Sequence, residues 1–298
     1  MAKMTKKSRR NVTVNSAELQ RSMLCDRLSF SASEAYKLLR TNLLFSLPAT
    51  EDCRVVGITS SIRGEGKTTT AINLAYTLAE TGKRVLLVDA DMRLPSISKK
   101  LKLPAKPGLS NCLVGMNDLG ESILNNVLLN TLSILPAGTL PPNPSELLGS
   151  EKMATLLDEM KKSFDFIIID LPPVNIVSDA LVISKLIDGM VITVRQNYSN
   201  QMQVSECMHH LKFLDTKLLG AVLTGAEEIS KGYGRRGYKY SYKYGYKYGY
   251  GYGYGYGYGY GYGRSRDKSD RKEWALSESD KAAPDAAGES AAVKSADK

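Results

Sequence analysis

The stretch Ser60-Ser61-Ile62-Arg63-Gly64-Glu65-Gly66-Lys67-Thr68-Thr69-Thr70 follows a short apolar run at residues 55–58. After it, apolar residues recur at the i, i+3, i+4 and i+7 spacing of one helical face, at Ala71, Leu74, Ala75 and Leu78. The stretch therefore joins a buried strand to the N-terminus of a helix. Its glycines allow the backbone to close around a phosphate, and the amide groups of a helix N-terminus attract anions. This pattern predicts a phosphate-binding loop.

Lys67 and Thr68 stand at the last two positions of the P-loop pattern G-x-x-x-x-G-K-[ST]. In that pattern the lysine reaches the β- and γ-phosphates, and the hydroxyl coordinates Mg²⁺. The first glycine position holds Ser61, which is small enough to leave the prediction standing. The competing dinucleotide pattern G-x-G-x-x-G starts at Gly64 but has Thr69 where the last glycine belongs, which argues against a Rossmann cofactor site.

Two further apolar runs end in acidic residues. Residues 85–88 are followed by Asp89-Ala90-Asp91-Met92-Arg93, and residues 166–169 are followed by Asp170 and two prolines. The second run is a Walker B pattern, in which a buried strand delivers a carboxylate to a metal ion. Because parallel strands end at one edge of a sheet, where open α/β folds bind ligands, these carboxylates are predicted to lie near the phosphate loop.

The remaining pattern alternates strands with helices, which predicts an α/β fold. Nearly continuous apolar runs are typical of strands buried on both faces, so we expect a P-loop NTPase-like, mostly parallel sheet with helices on both faces. Further strands are predicted at 132–135, 190–194 and 218–223, with short helices within 96–130, one helix over 145–162 and another around 200–214.

The first predicted helix begins at Ser31 and ends before Pro48. Ser31 and Glu34 have the S-x-x-E spacing of a capping box. Glu34, Lys37 and Arg40 recur every third residue beside an apolar stripe, and on physical grounds alone they indicate a solvent-exposed face.

Composition and charge indicate a protein without membrane spans, disulfides or a cysteine metal site. The chain has 298 residues, a formal net charge of +9, four scattered cysteines and two histidines. Cysteines without C-x-x-C spacing are typical of a reducing cytoplasm. No apolar run approaches about 18 residues, so we expect a cytosolic protein that reaches a membrane only through a partner.

The positive charge is concentrated in a basic arm at residues 1–30 and in a tail at residues 231–264. The tail holds fourteen of the seventeen tyrosines, many alternating with glycine, and it has seven basic and no acidic residues. Such a sequence cannot bury a core, so disorder is predicted. About four phosphotyrosines would cancel its charge. The folded domain is assigned to residues 31–230, and residues 265–298 are predicted to be a disordered polar extension.

The phosphate loop, the two acidic strand ends and the tyrosine tail together resemble the bacterial tyrosine kinases (BY-kinases) of capsule and exopolysaccharide systems, over residues 31–264. The resemblance implies ATP and Mg²⁺ as cofactors and a kinase that phosphorylates its own tail in trans. It implies catalytic roles for Lys67, Asp89, Asp91 and Asp170, with Asp91 as the base that accepts the tyrosine proton. It further implies metal ligation by Thr68, Asp89 and Asp170.

Nucleotide contacts are implied along the loop, at Ser61, Arg63, Gly64, Glu65, Gly66, Lys67, Thr68 and Thr69. The implied phosphoacceptors are Tyr238, Tyr240, Tyr242, Tyr244, Tyr246, Tyr248, Tyr250, Tyr252, Tyr254, Tyr256, Tyr258, Tyr260 and Tyr262.

The family also assembles into octameric rings through an E-x-x-R-x-x-R helix, which Glu34, Lys37 and Arg40 match except for lysine at the middle position. Lysine keeps the charge but loses the planar fork of arginine. Further implied partners are a transmembrane activator of the polysaccharide chain-length regulator family and a cognate tyrosine phosphatase. The implied location is the inner face of the plasma membrane.

Three other interpretations stay open from the residues. A partitioning- or division-type ATPase would carry a lysine at the position of Ile62, five residues before the loop lysine. A nucleic-acid-binding protein is permitted by the basic, aromatic tail, although nothing on the domain supports one. A third interpretation treats the glycine–tyrosine repeat as a self-associating segment, which is compatible with a kinase.

Overall fold

The computed structural model describes residues 24–47 and 52–226. Most of the basic arm, the tyrosine-rich tail with all its implied phosphoacceptors, and the polar extension lie outside the described residues. Within them, the strands are Arg54–Ser60 (β1), Val85–Asp89 (β2), Leu132–Leu135 (β3), Phe166–Asp170 (β4), Gly189–Arg195 (β5) and Leu218–Thr224 (β6).

The described strands form one six-stranded sheet in the order β3-β2-β4-β1-β5-β6, and every neighbouring pair is parallel. The strand that precedes the phosphate loop therefore lies at an interior position, beside the strand that ends in Asp170. Strands β2 and β4 pair so that Asp89 and Asp170 are direct neighbours. This confirms the predicted fold class for the described part of the chain.

Among the described helices, one precedes β1 and the others lie between successive strands. They are Phe30–Ser46 (α1), Lys67–Ala79 (α2), Ile97–Leu101 (α3), Leu109–Leu113 (α4), Leu119–Ser122 (α5), Pro144–Leu148 (α6), Glu151–Lys161 (α7), Asp179–Ile183 (α8) and Gln201–Phe213 (α9), with single 3₁₀ turns at Cys25–Arg27 and Ser184–Leu186.

The alternation of side chains along the strands divides the core into two apolar layers. On one face of the sheet, residues from α4, α7, α8 and α9 pack against alternate strand positions such as Ile167 and Ile169. On the other face, residues from α1, α2 and α3 pack against the intervening positions, including Val56 and Ile168. Because both faces are covered, β2 and β4 are buried along their whole length.

Two local predictions were wrong. The capping box at Ser31 and Glu34 does not form, because the helix begins one residue earlier and Ser29 caps it by accepting a hydrogen bond from the amide of Ala32 at 3.3 Å. The helix predicted over 145–162 is two helices, α6 and α7. The first helix ends at Leu148 with Gly149 as its C-cap. Ser150 caps the N-terminus of α7 by accepting a hydrogen bond from the amide of Met153.

The core also begins before the assigned boundary at residue 31. Leu24 and Cys25 are 6% and 5% exposed, and the amide of Cys25 donates to Asn73 Oδ1 of α2 at 2.8 Å. All four cysteines are free thiols. None of the helices within residues 24–47 and 52–226 combines the length and the apolar character of a membrane span.

Candidate nucleotide site

The phosphate loop connects β1 to α2 with the backbone geometry that its glycines predict. Gly64 and Gly66 have φ values of +85° and +93°, a region that residues with side chains rarely adopt. Gly66 precedes the first helical residue, Lys67, and its carbonyl accepts from the amide of Thr70. The loop therefore ends as the N-terminus of a 13-residue helix, where backbone amides attract an anion.

Lys67 lies between two of the predicted carboxylates. Its Nζ is 2.8 Å from Asp91 Oδ2 and 3.4 Å from Asp170 Oδ1, and its side chain is only 12% exposed. Burial by itself favours the neutral amine, but the charges of Asp170 and Asp91 outweigh it and raise the pKa of Lys67 above its ordinary value. The ammonium therefore stays charged at neutral pH and balances the acidic cluster.

Asp170 joins the end of β4 to the loop. Thr68 Oγ1 donates to Asp170 Oδ2 at 2.6 Å, and Ser96 Oγ lies 3.0 Å from the same hydroxyl. The carboxylate is fully buried, and burial raises the pKa of Asp170 against the opposing charge of Lys67. Ser96, at the start of α3, is a site residue that the sequence analysis missed. Its position directly before a helix was the available signal.

Asp89 lies beside Asp170 at the same edge of the sheet. Its Oδ2 accepts from the amides of Ser96 and Ile97, at 3.1 and 3.0 Å. Its Oδ1 is buried and has no hydrogen-bond partner among the described residues. Burial, reinforced by the charge of Asp170, raises the pKa of Asp89 to about 7. An orphaned carboxylate oxygen in an acidic cluster is suited to a cation or to a water bound to one.

These groups fit a Mg²⁺ site that is completed by a nucleotide. The described residues hold no group of three or more His, Cys, Asp or Glu side chains placed to bind a metal ion by themselves. Mg²⁺ in phosphoryl-transfer sites uses one or two carboxylates with phosphate oxygens and water, rather than a cage of protein ligands. Thr68, Asp170 and Asp89 supply the hard oxygen donors of such a site.

Asp89 gives the metal-free protein a pH-dependent stability. The pKa of Asp89 is higher in the folded than in the unfolded chain, so the folded protein keeps this proton up to a higher pH. The stabilisation that comes from binding the proton is lost as pH rises from about 4 to about 7. We expect the free energy of unfolding in EDTA to rise for Asp89→Asn relative to the wild type across that range, by about 1 to 3 kcal/mol. Urea titrations at pH 5, 6, 7 and 8 measure this difference.

The exposed Asp158→Asn is the matched control, since Asp158 lies on the surface of α7 in an ion pair with Lys161. Its difference from the wild type should stay flat. A flat difference for Asp89→Asn as well would show that Asp89 does not titrate in this range.

Asp91 is held in place from both sides. Its Oδ1 accepts from the amide of Leu94 at 3.0 Å, while its Oδ2 contacts Lys67. The residue is buried, at 4% exposure. A fixed carboxylate at this position has the chemistry of a general base for an incoming hydroxyl, once Lys67 binds phosphate oxygens.

Glu65 stabilises the phosphate loop through hydrogen bonds that the sequence of the loop does not indicate. Its carboxylate is completely buried and accepts from the hydroxyl of Ser61 at 2.8 Å and from the amide of Ile62 at 3.0 Å. The hydroxyl of Ser199, beyond β5, donates to the same carboxylate. Glu65 therefore braces the loop from inside. Ser61, at the first glycine position, contributes one of these bonds.

Arg93 links the loop after β2 to α8. Its Nε and Nη2 donate to the two oxygens of Asp179 at 3.0 Å each, and Nη2 also donates to Ser145. Asp179 is fully buried. Arg93 therefore fixes the segment that holds Asp91, a bidentate role that lysine would not reproduce.

The helix α1 residues predicted as an oligomer interface lie away from the nucleotide site. Lys37 Nζ is 2.8 Å from Glu34 Oε1 on an exposed surface. Arg40 instead points inward, and its Nη1 donates to the carbonyl of Thr77 in α2 at 2.6 Å. Within one chain, Arg40 thus anchors α1 on α2.

A parallel sheet, a glycine loop at a helix N-terminus and carboxylates at adjoining strand ends define a P-loop nucleotide-binding protein. The family model described as "AAA domain" matches residues 53–221. The chain is 36% identical over 209 residues to the tyrosine-protein kinase YwqD of Bacillus subtilis, an alignment that covers 70% of this chain and 87% of that protein. The chain belongs to the bacterial tyrosine-protein kinases, as the resemblance implied.

Two solved structures superpose on this chain and agree with this family assignment. The kinase domain of the Escherichia coli tyrosine kinase ETK superposes with a TM-score of 0.64 at 31% identity, covering 70% of this chain and 81% of that one. The chimerical protein CapA2B2 superposes with a TM-score of 0.61 at 36% identity, covering 64% of this chain and 84% of that one. The enzyme class is therefore a P-loop protein-tyrosine kinase.

Proposed function

We propose that this kinase uses ATP and Mg²⁺ to phosphorylate tyrosines 238–262 of a neighbouring copy of its own chain. The observation that carries the proposal is the meeting of Lys67, Thr68, Asp89, Asp91 and Asp170 at one edge of the sheet. Strand β6, the last strand among the described residues, ends at the same edge, where Thr224 donates to the carbonyl of Glu65 at 2.6 Å.

In this proposal Lys67 and the loop amides bind the phosphates, while Thr68, Asp170 and Asp89 hold Mg²⁺. The metal, when bound, neutralises charge on the phosphate oxygens. Asp91 accepts the proton of the tyrosine hydroxyl. Phosphoryl transfer depends on positioning and charge neutralisation more than on covalent help, and this buried cluster is suited to both.

The proposed setting is capsule or exopolysaccharide production, in which the kinase regulates polymerisation and export. A transmembrane activator of the chain-length regulator family would recruit it to the inner face of the plasma membrane, and a cognate tyrosine phosphatase would reverse the modification. No nucleic acid is required. The kinase names of the relatives favour phosphorylation over a partitioning-type ATPase switch, and the neutral Ile62 agrees with this.

An octameric ring is proposed to bring each tail to the next active site. The exposed surface of α1 supports such an interface, since Leu38 and Phe45 are 61% and 86% exposed. They lie four and eleven residues after Glu34, so all three share one helical face. Large apolar side chains displayed beside an ion pair are typical of contact surfaces.

The ring is tested by sedimentation of the unphosphorylated protein. We expect eight-chain particles for the wild type and monomers for Phe45→Glu, since a charge would be buried in each contact. Full phosphorylation should also dissociate the wild type, because it puts negative charge on every tail.

Phe213→Glu is the matched control. Phe213 is 81% exposed at the end of α9, which packs on the opposite face of the sheet from α1, and this variant should keep the ring. Octamers that persist in Phe45→Glu would refute this interface. Octamers that persist after full phosphorylation would refute the expected dissociation of the ring by negative charge on the tails.

A further inference from the structure

Three consecutive peptide carbonyls of the phosphate loop are each held by a side chain from outside the loop. The hydroxyl of Tyr198 donates to the carbonyl of Arg63 at 3.1 Å. Nη1 of Arg195 donates to the carbonyl of Gly64 at 3.1 Å. Thr224 Oγ1 donates to the carbonyl of Glu65 at 2.6 Å.

All three donors come from the ends of two neighbouring strands, or from the turn that follows one of them. Arg195 ends β5, Tyr198 lies in the following turn, and Thr224 ends β6. The Arg195 guanidinium also lies 5.2 Å from the centre of the Tyr198 ring, so the two side chains support each other. The amide of Gln196 donates to the carbonyl of Thr224 at 3.0 Å, which ties the turn to β6.

The donors pack directly against the loop glycines. A Cβ atom placed on Gly64 would lie 2.9 Å from the Tyr198 hydroxyl, and one on Gly66 would lie 3.1 Å from Thr224 Oγ1. Both glycines also have a positive φ. The contacts are therefore close enough to fix the loop and not only to cover it.

Holding a carbonyl also fixes the amide that shares its peptide plane. In a trans peptide the C=O and the next N–H point in opposite directions. With the carbonyls of residues 63, 64 and 65 turned toward β5 and β6, the amides of Gly64, Glu65 and Gly66 point away from those strands. These are the amides that the nucleotide-binding proposal assigns to phosphate.

We propose that Tyr198, Arg195 and Thr224 are positioning residues that preset the loop amides for the phosphates of ATP. They do not touch the nucleotide but act through the loop backbone. Without them, the peptides at residues 63–66 would have to be ordered when the nucleotide binds, and affinity would fall. This inference rests on the proposed ATP site.

The test is the affinity of the full-length protein for a fluorescent ADP in the presence of Mg²⁺. Thr224→Val keeps the branched shape of the side chain but removes the donor, and loss of one such bond should weaken binding about 3- to 10-fold. Thr224→Ser keeps the hydroxyl and should restore the affinity to within about 2-fold of the wild type.

Thr216→Val is the matched control. Thr216 precedes β6, is half-buried like Thr224, and its hydroxyl has no hydrogen-bond partner among the described residues. The same chemical change there should leave ADP affinity unaltered. Tyr198→Phe, at a 51% exposed position, provides a second deletion of a single hydroxyl and should also weaken binding.

The outcomes separate cleanly. Weakened binding in Thr224→Val and Tyr198→Phe, with normal binding in Thr224→Ser and Thr216→Val, supports the inference. Wild-type affinity in both hydroxyl deletions overturns it, as does equal weakening in Thr224→Ser and Thr224→Val, which would indicate packing alone. If the wild type fails to bind ADP while remaining folded, the proposed function fails, and the inference fails with it.

Discussion

Replacement of Lys67 by methionine is expected to reduce autophosphorylation about 100- to 1,000-fold, since removing one preorganised group that stabilises transition-state charge costs about that much. The substitution removes the cation that contacts both Asp91 and Asp170. The carboxylates of the acidic cluster then repel one another and also repel the phosphates of ATP. The initial rate of phosphotyrosine formation with Mg²⁺ and ATP measures the effect.

Lys161→Met is the control for this substitution. Lys161 lies on the exposed surface of α7, 3.3 Å from Asp158, and an exposed pair of this kind contributes little. We expect wild-type activity from it. Activity of Lys67→Met within about 10-fold of the wild type would mean that the lysine does not stabilise the transferring phosphoryl group.

Deletion of residues 231–264 is expected to abolish autophosphorylation and to leave nucleotide affinity unchanged. The deletion removes every implied phosphoacceptor but none of the residues that form the loop or the acidic cluster. Three tyrosines remain before it, at positions 36, 76 and 198. Fluorescent ADP binding and total phosphotyrosine, measured on the same sample, separate the two effects.

The polar extension provides a control of matched length. Residues 231–264 and 265–298 each span 34 positions, so deletion of the second segment shortens the chain equally. It should leave phosphorylation intact. Phosphotyrosine that persists at wild-type levels after deletion of 231–264 would place the acceptors elsewhere. A change of sedimentation without ATP would favour the self-association interpretation of the repeat.

The fold followed from the sequence because its strands are buried on both faces. Continuous apolar runs such as 85–88 and 166–169 are typical of strands in a parallel sheet covered on both faces, and the acidic residues after them mark the ligand-binding edge. Local boundaries were less predictable. The N-caps at Ser29 and Ser150 each rest on one side-chain hydrogen bond, and a nearby serine such as Ser31 carries the same hydroxyl group in the sequence.

The candidate site was only partly predictable. Motif spacing identified Lys67, Thr68 and the strand-end carboxylates, because each belongs to a local pattern. The supports of the loop come from distant parts of the chain, and no local pattern marks them. Ser199 and Thr224 reach Glu65 across more than 130 residues of sequence, so only the folded sheet brings them together. The inward position of Arg40 was hidden for the same reason.

One measurement tests the central claim most directly: phosphotyrosine mapping by mass spectrometry on a mixture of two variants. A chain lacking residues 231–264 keeps the catalytic groups, and full-length Lys67→Met keeps the acceptors. They are incubated with Mg²⁺ and ATP, with and without the cytoplasmic tail of a membrane activator. The account predicts phosphotyrosine within residues 238–262 of the Lys67→Met chain. ATP hydrolysis without any modification of that chain, under both conditions, would contradict phosphorylation in trans and favour an ATPase switch.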